Sequence, residues 1–405
     1  MAGNGMAPQP IASLLPDGPG LSFVWYGDCC SGVPGEPNER NFAAVNAVFQ
    51  RLGVMPDVTF FVGDSILGGD IPEEAFRAQW RYWLNHEMAW FTRLGIRIPL
   101  YHVTSNHNTT NAAGEAVFRE IHDRIPRNGP VGQEGLSYWV RQDDFLFVFV
   151  NTNFSGLGGQ GHVEHEWLDR VLTAQADARH KLVIGHHPVF GVNGYDLSPL
   201  WRVVPAEGQP FWEVLVRHGV LAYVCSHILA YDVQVHQGVL QVCTGGAGTY
   251  GMRLGLMPEP FEYFHLVQGA IDAAGLRYQV LDTDGVAREG LRWPEPALEE
   301  VALAPFDPAH PPAAPEPGGS WVAHVRLTGT APACDREQTL VCGWDTHEGP
   351  ESPWIGLTPG NRLAVQLVPH AGHGAQWWQG PALTHGEPFD IEVGIHSGLG
   401  PGGVL

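Results

Sequence analysis

Residues 58–67 have the sequence VTFFVGDSIL. Apolar and β-branched residues lead into Val62, and Gly63 and Asp64 then end the run. This pattern predicts a buried parallel strand with a functional residue at its carboxyl end. Ligands of open α/β sheets bind just beyond the carboxyl ends of the strands. A single carboxylate in a turn is more often simply solvated. Asp64 is therefore a candidate functional residue only if other strands end in the same way.

Several further apolar runs of strand length also end in potential ligands. They are LSFVWYGD, ending at Asp28; IRIPLYHVTSNH, ending at Asn106 and His107; HKLVIGHHP, which contains His186 and His187; and GVLAYVCSH, ending at His227. Carboxylates, amide oxygens and imidazoles suit Zn, Mn or Fe better than a metal that prefers thiolates. The repeated arrangement therefore predicts a transition-metal site at the strand ends.

The order of these motifs, GD, GD, NH, GHHP and H, resembles that of the calcineurin-like metallophosphoesterases. GHHPVFG (185–191) and the segment 219–248 are similar in residue types and spacing to the purple acid phosphatase branch. The resemblance covers roughly residues 20 to 290. It implies an α/β fold, a four-layer α/β/β/α sandwich with a two-metal centre between the strand ends.

The resemblance implies a complete ligand set for one of the two metals. Asp64, Asn106, His186 and His227 match the family ligands at their motif positions. They would hold a divalent Mn, Fe or Zn ion and leave room for water, as catalytic metal sites require.

The second metal site departs from the family pattern. Asp28 matches a family ligand, and the bridging Asp64 is shared. Cys30, Leu67 and Leu229 occupy positions where the family has other ligands. Cys29 or Cys30 could substitute, although a pair of small, half-buried residues explains them equally well. One or two bound ions are therefore expected.

His107 matches the family histidine that protonates the leaving oxygen or stabilises charge on the phosphoryl group. Its usual acidic neighbour is replaced by Asn108. The resemblance implies a metal-dependent hydrolase, a phosphatase or phosphodiesterase, in which metal-bound water attacks the phosphorus of a small phosphate ester. The substitutions leave an alternative: a drifted fold that serves as a binding protein or performs single-metal chemistry on another substrate.

Composition limits the remaining functions. The chain has 405 residues and a net charge of −21, with 43 acidic and 22 basic residues, which disfavours a nucleic-acid-binding surface. No apolar run is long enough to span a membrane, and no signal peptide is recognisable. Six scattered cysteines without a disulfide-type spacing favour the cytoplasm. The oligomeric state stays open.

Composition shifts along the chain predict four segments. They are a flexible leader (1–20), a catalytic domain (21–293), a Pro-rich linker (294–319) and a β-rich domain (320–405). The last segment resembles part of a lectin-like β-sandwich and looks incomplete. Residues 73–94 are predicted to form one helix with many aromatic residues.

Overall fold

The computed structural model describes residues 9–93, 98–190, 192, 202–249, 263–294, 321–331, 338–342, 354–357, 362–367 and 376–397. The helices are α1 (Pro37–Gln50), α2 (Glu73–Tyr82), α3 (Ala89–Arg93), α4 (Ala112–Ile121), α5 (His165–Ala174) and α6 (Pro205–Arg217). The strands up to residue 294 are β1 (Gly20–Tyr26), β2 (Val58–Phe61), β3 (Leu100–His102), β4 (Tyr138–Gln142), β5 (Phe145–Phe149), β6 (His180–Ile184), β7 (Ala222–Cys225), β8 (Tyr231–His236), β9 (Val239–Thr244), β10 (His265–Asp272), β11 (Gly275–Asp282) and β12 (Ala287–Trp293). The strands beyond are β13 (Trp321–Thr330), β14 (Gln338–Cys342), β15 (Trp354–Leu357), β16 (Arg362–Leu367), β17 (Gln376–Ala382) and β18 (Pro388–Ser397).

Two mixed sheets form the centre of the molecule. The first has the order β12-β11-β10-β1-β2-β3, in which β1, β2 and β3 run parallel. The second contains β4-β5-β6-β7-β9-β8, in which β5, β6, β7 and β9 run parallel. The stretch 58–61 is a fully buried parallel strand, as its apolar run predicts.

Side-chain alternation shows how the layers stack. In β5, Phe145, Phe147 and Phe149 join the core that also contains the first sheet and helices α1, α2 and α4. Leu146 and Val148 point the other way, into a second core with α5 and α6. Since successive strand residues face opposite sides of a sheet, the second sheet lies between the two cores. This arrangement confirms the predicted α/β/β/α sandwich.

The predicted flexible leader is held against the first sheet within the described residues, which begin at position 9. The Gln268 side chain accepts a hydrogen bond from the N–H of Leu14 and donates one to its carbonyl, both at 2.8 Å. Gln279 donates to the carbonyl of Ala12 at 2.8 Å, and Arg277 pairs with Asp17. These contacts satisfy backbone groups that a free leader would leave to water, so residues 12–17 are held against the first sheet.

The predicted helix over 73–94 is interrupted. Helix α2 passes into a π-helical turn, Trp83–Glu87, before α3 begins. The turn places the Trp83 ring against Phe42 and Phe61, and it directs Glu87 toward Ser31 and Gly32. π-helical turns inside helices are often found near functional sites.

The described C-terminal strands do not form the separate β-sandwich that the sequence suggests. β17 pairs in parallel with β8, so β14 to β17 extend the second sheet, whereas β13 and β18 form a two-stranded ladder. Most of the Pro-rich linker lies outside the described residues, so the segment boundaries stay a prediction. None of the helices described has the length and apolar content needed to cross a bilayer.

Candidate metal centre

The predicted site residues follow the carboxyl ends of parallel strands in both sheets. Asp28 follows β1, Asp64 follows β2, Asn106 follows β3, His186 follows β6 and His227 follows β7. Asp28, Asp64 and His227 have φ values of 63°, 50° and 70°. A non-glycine residue in this region costs on the order of 1 kcal/mol and persists only where the surroundings enforce it. The backbone therefore turns sharply at the strand ends and directs these side chains into one space.

The first cluster, which we call the Oδ1 group, consists of Asp64 Oδ1, Asn106, His186 and His227. The Nε2 atom of His186 lies 2.9 Å from Asn106 Oδ1, 3.2 Å from His227 Nδ1 and 3.4 Å from Asp64 Oδ1. The Nδ1 atom of His227 lies 3.2 Å from Asn106 Oδ1. Ligand atoms at 2.0–2.2 Å from a shared ion lie about 2.8–3.6 Å apart. These four separations fall within the range expected for ligands that share one ion.

His186 is completely buried and its ring is fixed from behind. Its Nδ1 lies 3.0 Å from the carbonyl of Val62 and 3.0 Å from Ser226 Oγ. With Nδ1–H donating to the Val62 carbonyl, Nε2 is the nitrogen that faces the Oδ1 group, and it can bind an ion once it has lost its proton. A backbone partner on the remote nitrogen is a common way to fix the tautomer of a metal-binding histidine.

The charges in the Oδ1 group are strongly coupled. Burial alone lowers the pKa of His186, but the carboxylates of Asp64 and Asp28 raise it to about 9. Burial acts to raise the pKa of Asp64, whereas His186, His107 and His227 bring it well below its usual value. Asp64 is therefore ionised and available as an anionic ligand.

His227 is held at both ends. Its backbone N–H donates to Asp28 Oδ2 at 2.9 Å, and its Nε2 lies 3.4 Å from the side-chain amide of Gln160. Gln160 was not predicted from the sequence, because it lies in a loop that carries no strand-end motif. The amide contacts the ring nitrogen that does not face the other ligands.

Asp28 lies among the site residues but outside both ligand clusters of the described chain. Its Oδ2 is occupied by the N–H of His227. Burial and the neighbouring carboxylate of Asp64 raise the pKa of Asp28 to about 7. Through this hydrogen bond Asp28 supports the His227 loop.

The second cluster, the Oδ2 group, consists of Asp64 Oδ2, Cys30 and His107. Cys30 Sγ lies 3.8 Å and His107 Nε2 lies 3.9 Å from Asp64 Oδ2. All three donor atoms lie within 4.8 Å of one another. Burial and the carboxyl groups of Asp64 and Asp28 raise the pKa of the Cys30 thiol well above its usual value.

The two adjacent cysteines have different surroundings. Cys29 is buried in the hydrophobic core, where its thiol donates to the Ser65 carbonyl at 3.0 Å and accepts from the Trp83 indole at 3.4 Å. Cys30, in contrast, faces Asp64. Of the two predicted substitutes, Cys30 is the one beside the cluster.

His107 has a partner other than the acidic neighbour that the family resemblance implies. Its Nδ1 lies 2.5 Å from the carbonyl of Leu67, and its backbone N–H donates to Asp64 Oδ1 at 3.2 Å. Asn108 is buried and accepts hydrogen bonds from the N–H groups of Ser65 and Ile66. The Leu67 carbonyl thus fixes the His107 ring, while Asn108 holds the backbone after Asp64.

No protein-family model matches the chain, and no curated protein matches its sequence. Solved structures do match. A purple acid phosphatase from yellow lupin seeds is 13% identical, with a TM-score of 0.48 over 67% of this chain and 53% of its own. A dimetal phosphatase from Danio rerio is 15% identical, with a TM-score of 0.41 over 64% of this chain and 95% of its own. A putative 5'-nucleotidase from Staphylococcus aureus is 12% identical, with a TM-score of 0.40 over 71% of this chain and 56% of its own.

These neighbours are calcineurin-like metallophosphoesterases, the class whose motif order the sequence resembles. This chain spans about half the length of the lupin phosphatase. At such identities and TM-scores, the assignment of the fold rests on the strand order, the layers and the positions of the site residues. Those features together define an α/β/β/α sandwich with a candidate metal centre at its strand ends.

Proposed function

We propose that this protein is a metal-dependent hydrolase of phosphate esters, with one ion held by the Oδ1 group. The observation that carries the proposal is the convergence of four donor atoms at the strand ends, with His186 Nε2 2.9–3.4 Å from the other three and His227 Nδ1 3.2 Å from Asn106 Oδ1. The candidate ligands Asp64, Asn106, His186 and His227 supply these atoms. A bound Zn, Mn or Fe(II) ion would polarise a phosphoryl oxygen and lower the pKa of a coordinated water toward about 7.

The chain's own residues complete the chemistry around that ion. Asp64 presents a carboxylate that its imidazole neighbours keep ionised. His107 is fixed through Nδ1, which leaves Nε2 directed toward the Asp64 side of the centre. The side chain of His107 is 36% exposed, so a substrate arriving from solvent can reach it. From this position the doubly protonated ring can donate from Nε2, either a hydrogen bond to the phosphoryl group or a proton to the leaving oxygen.

The net charge of −21 does not favour an anionic ester by long-range attraction. Attraction must therefore arise locally, from the ion and from hydrogen-bond donors at the strand ends. This favours a small phosphate ester over an extended polyanion. On this proposal, the ion and the hydrogen-bond donors of the centre select the substrate.

Leu67 and Leu229 favour a second candidate function. Leucine cannot bind a metal, and both residues lie at positions where the motif resemblance implies ligands. A centre with one ion lacks the second positive charge that binuclear sites use to stabilise attacking and leaving oxygens. The alternative is a protein that binds a phosphate compound without hydrolysing it, or one that acts on another substrate.

Hydrolysis of a generic aryl phosphate monoester and a bis-aryl diester, with Mn²⁺, Fe²⁺ or Zn²⁺ added to metal-free protein, tests the proposal. Wild type should show metal-stimulated turnover. His186→Ala should lose both the ion and the turnover, by more than the roughly 10- to 100-fold effect of removing an outer-shell partner. His86→Ala is the matched control, because the His86 side chain is 65% exposed and lies outside the centre. Metal bound by folded wild type without any ester turnover would support the binding function instead.

A further inference from the structure

The Oδ2 group is a separate arrangement of donors from the Oδ1 group. Asp64 turns Oδ1 toward His186 at 3.4 Å, whereas Oδ2 faces Cys30 at 3.8 Å and His107 at 3.9 Å. A carboxylate whose two oxygens face different sets of donors can bridge two ions. The second set contains a thiol, an imidazole and one carboxylate oxygen.

The spacing of the Oδ2 group is close to that of a zinc site. With Zn–S near 2.3 Å and Zn–N and Zn–O near 2.0–2.2 Å, tetrahedral ligands lie about 3.3–3.6 Å apart. The separations of Cys30 Sγ and His107 Nε2 from Asp64 Oδ2 exceed this by a few tenths of an ångström, and the donor atoms of Cys30 and His107 lie within 4.8 Å of each other. His107 is 36% exposed, so its ring can turn inward about the Nδ1 contact with Leu67 without displacing the core.

The orientation of His107 provides an independent observation. Its Nδ1 is bonded to the Leu67 carbonyl, so the free nitrogen is Nε2, the atom that lies nearest Oδ2. This is the arrangement of a histidine whose remote nitrogen is fixed by a carbonyl. A surface histidine with no such partner would present either nitrogen.

We infer that Cys30, His107 and Asp64 Oδ2 form a second cation site for a thiophilic divalent ion such as Zn²⁺. On binding, the Cys30 thiol releases its proton to solvent, because a metal-bound cysteine is a thiolate. The thiolate favours zinc over Mn²⁺ or Mg²⁺, which prefer oxygen ligands. Three protein ligands leave a fourth position open to water.

Occupation of this site has a consequence that rests on the proposed function. An ion bound to Nε2 takes the nitrogen that would otherwise donate to the substrate. Zinc in excess of one equivalent should then inhibit ester hydrolysis, whereas Mn²⁺ should not. The Oδ2 group would act as an inhibitory site beside the centre that the Oδ1 group forms.

Titration of metal-free protein with Co²⁺ tests the site without any substrate. Cobalt is a spectroscopic substitute for zinc, and its bond to a thiolate produces a near-ultraviolet charge-transfer band. Wild type should bind two equivalents, with the band growing alongside one of them. Cys30→Ser should lose the band and keep one equivalent, and His107→Ala should weaken the band-forming equivalent by roughly 10-fold or more. Cys29→Ser is the matched control and should keep the band, since Cys29 faces the Ser65 carbonyl and Trp83.

Circular dichroism and the retained equivalent show that each variant is folded. A wild type without a thiolate band, or a band that persists in Cys30→Ser, would overturn the second site. Equal zinc inhibition of wild type and Cys30→Ser would overturn the inhibitory consequence. If no ester is hydrolysed, the proposed function fails, while the cobalt band still decides whether the site exists.

Discussion

The two oxygens of Asp64 face clusters that are organised to different degrees. On the Oδ1 side His186 Nε2 lies 2.9–3.4 Å from the other three donor atoms, and His186 is fully buried. On the Oδ2 side the two distances to the carboxylate are 3.8 and 3.9 Å, and His107 is partly exposed. The Oδ1 side is already close to the spacing of a bound ion. The Oδ2 side reaches that spacing only after a small movement.

The difference is explained by what lies behind each ligand. The His186 ring is held by Val62 and Ser226, and the His227 backbone by Asp28. Ligands held in this way lose little conformational freedom when an ion binds, which favours affinity. Cys30 and His107 depend on backbone contacts in two loops. We therefore expect the Oδ1 group to bind first and more tightly.

Replacing the shared carboxylate should affect both sides and gives the largest effect. Asp64→Asn keeps the shape and one acceptor oxygen but removes the charge. Both cobalt equivalents should weaken, and any ester turnover should fall by at least roughly 100-fold, since this residue is a ligand and not an outer-shell partner. Isothermal titration calorimetry and initial rates measure the two losses. If one equivalent binds with unchanged affinity, Asp64 does not join the two groups.

Gln160→Ala should affect only the Oδ1 side, by about 10-fold in metal affinity. With Nδ1 of His227 facing the other ligands, Nε2 must carry the proton. The Gln160 amide nitrogen lies 3.4 Å from Nε2, and a 180° rotation of the amide group brings its oxygen to this position as the acceptor. Competition with a chelator of known affinity measures the change, with Gln209→Ala, on the exposed face of α6, as the control. An unchanged affinity would show that Gln160 does not orient the ring.

Glu87→Gln should have the smallest effect and should be confined to the Oδ2 side. Glu87 accepts from Ser31 Oγ at 2.5 Å and from the N–H of Gly32 at 3.1 Å, directly after Cys30. Glutamine retains one acceptor oxygen, so the loop should loosen without unfolding, and the thiolate-linked cobalt equivalent should weaken several-fold. The band itself should remain. A matching loss in the Oδ1 group would show that the two sides are not independent.

The part of the centre that could be predicted from the sequence follows one rule. Asp64, Asn106, His186 and His227 each follow an apolar run, and the ends of parallel strands converge at one edge. The same rule places Asp28 near them. It could not show that Asp28 Oδ2 is occupied by the N–H of His227, since that contact joins two sheets.

The contacts that orient the ligands were beyond sequence reasoning. The partner of His107 is the Leu67 carbonyl. Every residue has a backbone carbonyl, so the residue type at position 67 does not reveal this contact. Gln160 and Glu87 lie in a loop and in a π-helical turn, where no periodic pattern marks them. The prediction of one helix over 73–94 missed the interruption at Trp83–Glu87. A π-helical turn has the residue composition of an α-helix and only shifts the register of the side chains.

The pairing of β17 with β8, through Gln376 and Trp377, also determines how the protein can be shortened. A chain that ends near residue 294 would retain every residue of the candidate centre. It would also leave β8 as an open sheet edge, with a row of unpaired N–H and C=O groups that can recruit a second chain. Self-association of such a fragment would remove it from solution, and an activity assay would register this as a catalytic defect. In the full chain, β17 covers part of this edge, at Val233 and Gln234.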